Sequence, residues 1–189
     1  GTCTTVHSDN NWKYDFSPVT FNCIYGGEDY DARREQKGWN QIGFDDSHWR
    51  PVVMQEAPKG ILRPQMAAPV KIMERYDIQK VTKLNADQVA SASVSTKRTV
   101  DPSAFVLDMG QNLAGFPEIT VRGKRGQKVT LIVAEALTDE GACNQRQTGR
   151  QHYYEYTLKG EGDETWHPRF SYYGFRYIQV EGAVLKGQK

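Results

Sequence analysis

Polar and apolar residues alternate over short distances along this chain, and a helical spacing of apolar positions is hard to find. Segments rich in Val, Ile, Thr, Tyr and Phe recur instead, each closed by Gly, Pro or Asp, the pattern of strands joined by turns. "SPVTFNCIY" predicts a strand ending at Gly26-Gly27; "PVKIMERYDI", "QVASASVST" and "AFVLDM" predict three more. "FPEITVRG" and "QKVTLIVAEAL" flank "GKRG", whose glycines suit a hairpin loop. "QHYYEYTLKG" and "FSYYGFRYIQVEG" repeat the pattern near the end. Many short strands with regular turn signals predict an all-β protein built as an antiparallel sandwich.

Alternation also assigns faces. In the last string it puts Phe170, Tyr172, Gly174, Arg176, Ile178 and Val180 together, with Tyr173, Phe175 and Tyr177 opposite, so a guanidinium shares a face with core-like residues. In "VTLIVAEAL" it aligns Val129, Leu131, Val133 and Glu135, leaving a carboxylate at the end of an apolar face. The expectation is a partly buried ion pair of Arg176 with Glu135 or with Asp108 of "FVLDMG". Truncating one partner of a desolvated pair is costly, because the other charge stays buried.

The stretch "APKGILRPQMAAP", 57–69, holds three prolines and little alternation, so it predicts a linker. It divides the chain into a module over 1–69, short for an independent sandwich and read as part of a larger one, and a second module over 70–189.

The chain has 189 residues, enough to bury a core without staples. Cys3, Cys23 and Cys143 are odd in number and form no C-x-x-C pair, which argues against a disulfide framework and a zinc site. A formal charge of +1 gives no basic field to draw nucleic acid or anionic lipid. The apolar runs fall short of the roughly 18 residues that cross a bilayer, so neither nucleic acid nor membrane insertion is expected. His7, His48, His152 and His167 lack paired ligand spacing, and "GQNLAG" lacks the Lys-Ser/Thr of a phosphate loop. No metal or cofactor is predicted. The basic residues Arg122, Lys124, Arg125 and Lys128 read as a solvated hairpin tip.

Two features could carry chemistry. "IYGGEDYDAR", 24–33, packs Glu28, Asp29 and Asp31 beside Arg33, and carboxylates so dense need a cation or several donors each if they are buried. Tryptophans could stack on sugar rings, although core packing is the commoner use of an aromatic in a sandwich. Candidate binding residues are therefore Glu28, Asp31, Arg33, Trp39 and Trp166.

Taken in order, "IYGGEDYDAR", "GW" with "FDDSHW", "LDMGQNLAGF", "VAEAL" and "HPRFSYYGFRY" resemble the bacterial α-L-rhamnosidases of glycoside hydrolase family seventy-eight over nearly the whole chain. The resemblance implies that 1–69 is the end of an amino-terminal β-sandwich and 70–189 a concanavalin-like, or jelly-roll, sandwich, both accessory to an (α/α)6 catalytic barrel in the same polypeptide. It implies an inverting glycosidase whose two carboxyl groups stand on the barrel. No catalytic residue is assigned to this chain, which is expected to be inactive alone. The partners implied are that barrel and rhamnose-containing glycans; by analogy, export to the periplasm or cell exterior is expected. Gly26, Phe116 and Tyr173 depart from the family's usual Asp, Trp and His. The resulting expectation is that "IYGGEDYDAR" is scaffold, its acids neutralised by Arg33 and backbone donors. The alternative is a carbohydrate-binding module with sugar affinity of its own.

Overall fold

The computed structural model describes residues 1–61, 63–88, 104–146 and 152–186. The strand expected over "QVASASVST" lies outside them, apart from Gln88. Among the described residues the strands are β1 (Lys13–Tyr14), β2 (Val19–Cys23), β3 (Gly27–Asp31), β4 (Arg50–Pro51), β5 (Lys80–Leu84), β6 (Ala104–Gly115) and β7 (Ile119–Val121). They continue as β8 (Lys128–Ala134), β9 (Ala136–Leu137), β10 (Cys143–Asn144), β11 (Tyr153–Thr157), β12 (Glu164–Trp166) and β13 (Tyr173–Glu181). A single 3-10 turn, Ala32–Arg34, follows β3.

The chain forms two compact units: 1–17 with 36–71, and 18–35 with 72–189. A single cut near residue 70 would leave 18–35 in the first module, whereas its two strands belong to the sheet of the second unit. That sheet has seven strands in the order β2-β3-β11-β8-β13-β6-β5. Every pairing in it is antiparallel except β3 with β11, which runs parallel over five residue pairs.

β8 lies in the middle of the sheet, and its residues after Lys128 are buried on both faces. Val129, Leu131 and Val133 enter the larger core with Phe105, Leu107, Tyr154, Tyr156, Ile178 and Val180. Ile132 and Ala134 enter a smaller cluster on the other side. The β7–β12 ribbon adds Ile119, Val121 and Trp166 to the larger core, and β9–β10 adds Leu137 and Cys143 to the smaller. The fold is thus all-β and layered, each buried Val or Leu contributing about 1.5–3 kcal/mol through area removed from water.

Three local expectations change. "PVKIMERYDI" forms no strand, and Met73 and Ile78 are exposed; the strand begins at Lys80, where β6 supplies hydrogen-bonding partners. β7 and β8 do not pair with each other: the turn is present, with Gln127 N–H donating to the Lys124 carbonyl, but it carries the chain from the β7–β12 ribbon into the main sheet. In β13 an irregularity between Phe175 and Tyr177 resets the alternation. Phe175 therefore joins Ile178 and Val180 in one core, while Phe170 and Tyr172 are exposed.

The first unit is built differently. Its only regular pairing among the described residues is β1 with β4, and turns hold the rest. Trp49 Nε1 donates to Gln36 Oε1 at 2.8 Å, Lys13 meets Asp46 at 2.9 Å, and Phe44 packs edge-on against Trp49.

Candidate functional site

β3 is a poor strand by composition, with Gly, Glu, Asp and Asp among its five residues. It exists because both its edges are occupied, by β2 and by β11. Gly27 makes that approach possible. Its φ is +98°, and a Cβ there would lie 1.7 Å from the Tyr153 carbonyl oxygen, so any other residue is excluded by both backbone strain and collision. The chain then alternates: Glu28, Tyr30 and Ala32 point into the protein, while Asp29 and Asp31 are partly exposed.

Glu28 is 0% exposed. Its carboxylate accepts from the main-chain N–H of Arg169 (3.2 and 3.1 Å to the two oxygens), from that of Phe170 (3.2 Å) and from Asn22 Nδ2 (3.2 Å). Charge-assisted bonds of this kind offset the cost of burying a carboxylate. Tyr30 stacks on Tyr156 with ring centroids 5.8 Å apart and lies 5.9 Å from Trp166. Its hydroxyl donates to Glu35 (2.8 Å), which also receives Lys159 Nζ (2.9 Å). Burial, then the Glu35 carboxylate, pushes the Tyr30 phenol well above its ordinary range.

The other acids are saturated too. Asp31 caps the 3-10 turn through Arg33 N–H (3.1 Å) and takes a bidentate contact from Arg33 Nε and Nη2 (2.8 Å each). That guanidinium holds its carboxyl below the usual carboxylate range. Asp108 is gripped by Arg176 Nε (2.8 Å) and Nη2 (3.0 Å) and accepts from Gly110 N–H (2.7 Å), and the Arg176 bond lowers its pKa. Glu135 is not Arg176's partner; it accepts from Asn112 Nδ2 at 2.7 Å. The Arg176 side chain is 39% exposed, so solvent screens the pair and the penalty of a desolvated ion pair does not apply. Burial alone would raise the Glu164 pKa, but the N–H groups of Lys159 and Gly160 and the Tyr156 hydroxyl outweigh it, and the carboxyl ends below its ordinary value.

The tryptophans separate. Trp166 is 5% exposed and packs on Tyr30, Tyr154 and Tyr156, so it offers no sugar platform. Trp39 is 60% exposed, in the first unit. The structure thus brings Glu28, Asp31, Arg33 and Trp166 into one region of the second unit and Asp108 with Arg176 into another part of the same sheet. Sequence reasoning missed Asn22, Glu35, Glu164 and the Arg169–Phe170 donors. The last act through main-chain N–H groups, which leave no side-chain signal. At the three departures, a Cβ at Gly26 would come within 3.0 Å of the Phe21 ring, Phe116 stacks on His167 (5.1 Å) and Tyr173 packs on His152 (4.2 Å). Among the described residues no group of three His, Cys, Asp or Glu is placed to hold a metal ion, and no helix is long and apolar enough to cross a membrane.

Residues 98–189 match the family model of the bacterial alpha-L-rhamnosidase concanavalin-like domain, and 1–74 that of the alpha-L-rhamnosidase N-terminal domain. An alpha-L-rhamnosidase of Formosa agariphila is 34% identical over 98% of this chain and 18% of its own length. One of Streptomyces avermitilis is 35% identical over 96% of this chain and 16% of its own. The solved alpha-L-rhamnosidase from Dictyoglumus thermophilum aligns with a TM-score of 0.78 at 34% identity, covering 95% of this chain and 19% of that one. The Streptomyces avermitilis enzyme complexed with L-rhamnose aligns at 0.77 and 34%, covering 96% and 16%. The chain thus spans less than a fifth of each of these rhamnosidases.

Proposed function

We propose that this chain, which belongs to the bacterial α-L-rhamnosidase family, is an accessory β-sandwich segment that braces a separate catalytic domain of the same enzyme and cleaves no bond itself. The parent protein, on this reading, hydrolyses terminal α-L-rhamnose by an inverting mechanism, with its acid and base outside these residues. What supports it is the state of the acids: Glu28, Asp31, Asp108 and Glu164 each accept two or more hydrogen bonds from donors of the chain. A general acid needs a raised pKa and a base an open lone pair toward water, whereas three of these carboxyls are lowered. The 189-residue chain should release no nitrophenol from an aryl α-L-rhamnoside beyond a host-enzyme control. Turnover that survives that control would refute the bracing role.

One observation favours a second reading, a sugar-binding module: the Trp39 ring stands open to solvent in the first unit. Calorimetric titration with rhamnose separates the two readings. Saturable heat that disappears in Trp39→Ala supports binding, and flat titrations leave the bracing role alone.

A further inference from the structure

The N-terminal family model covers 1–74, yet residues 18–35 inside it form two strands of the sheet that the concanavalin-like region builds. The chain leaves the first unit at Ser17, contributes this hairpin, and returns at Gln36. Within the second unit the hairpin has the anatomy of a bound peptide. Its main chain extends the sheet along β11 in parallel, the mode in which strand addition derives affinity from backbone hydrogen bonds and specificity from alternate side chains.

Each inward side chain meets a distinct receiving group. Glu28 enters the two N–H donors of the Arg169–Phe170 loop, and Tyr30 is received by Tyr156 and Trp166 beneath the Arg169 guanidinium, 5.8 Å from its ring. Ala32 is small and 2% exposed, and Glu35 closes the end on Lys159. A slip of one residue would put Asp29 in place of Glu28 and bring a Cβ to the position where Gly27 meets the Tyr153 carbonyl.

We propose that the β11 edge and the Arg169–Phe170 loop form a strand-accepting site whose ligand is residues 18–35 of this chain, with Glu28 as the residue that sets register and specificity. The seven-stranded sheet is completed by segment donation from within the stretch that the N-terminal family model covers. This inference does not depend on the bracing role: a hydrolytically active chain would still need the hairpin.

The test uses the full chain carrying protease sites after Ser17 and after Glu35. After cleavage the 18–35 peptide should stay with the remainder through gel filtration. A labelled synthetic 18–35 peptide should displace it in mild urea. The same peptide with Glu28→Gln should compete at least about tenfold less well, as expected for weakening a charge-assisted contact worth 1.5 kcal/mol or more; a Gly27→Ala peptide should not compete. Because these changes sit in the peptide, the receiving protein stays wild type. Equal competition by the wild-type and Glu28→Gln peptides would overturn the proposal. So would immediate loss of the cut hairpin while Tyr153–Thr157 keep their amide protection, or failure of the wild-type peptide to enter when β3 amides are themselves exchanging.

Discussion

The two units of this chain solve the same problem in opposite ways. The second buries apolar residues on both faces of a seven-stranded sheet, whereas among the described residues none of the buried core belongs to the first. There Trp12, Trp39, Ile42, Met54, Ile61 and Met66 face solvent, and order rests on one short strand pair, turns, ring contacts and polar contacts. The difference teaches where cohesion comes from. Long-range strand pairing creates a surface worth burying on both sides, and turns alone create none.

The largest expected effect that sharpens this contrast is Gly27→Ala, which should abolish cooperative folding of the second unit, because the new Cβ collides with backbone and not with a movable side chain. Circular dichroism melting would show it. Next, Leu131→Ala should cost about 2–5 kcal/mol, as for other core truncations, whereas Ile42→Ala in the first unit should stay within about 0.5 kcal/mol. Urea unfolding of both variants checks the pair, and equal losses would break the comparison.

Acid should act next. Asp31, Asp108 and Glu164 have folded-state pKa values below their ordinary 3.8 and 4.5, so the stability they contribute is complete above those values and is lost as pH falls through the lower, folded ones. Melting temperature should therefore hold down to about pH 5 and decline below it. The smallest effect concerns reactivity. Burial pushes the Cys143 thiol up to about 12, while Cys3 is exposed. Alkylation at neutral pH should mark Cys3 and spare Cys143 until the second unit unfolds.

Much of this was legible in the sequence, unevenly. The alternation of "KVTLIVA" revealed β8 and its core face, because a strand flanked by partners is ruled by its own side chains. The irregularity in β13 was not legible: four residues between Asp108 and Leu113 lie opposite one between Phe175 and Tyr177, a property of two strands far apart in the sequence. β3 was hidden for a related reason. Its acids read as a charge cluster, since nothing local tells that β11 and two N–H groups of the loop at 169–170 await them. Trp39 and Trp166 looked alike as candidates, and only the tertiary contacts separated an exposed ring from a core one.

Glu28 is proposed to hold architecture together rather than to handle sugar. Equilibrium unfolding of the wild-type chain and Glu28→Gln, each with and without L-rhamnose, tests it most directly. A stability loss of about 2 kcal/mol or more is expected in Glu28→Gln, the same whether sugar is present or not. A variant as stable as the wild type, or one whose only defect is a lost stabilisation by rhamnose, would contradict it.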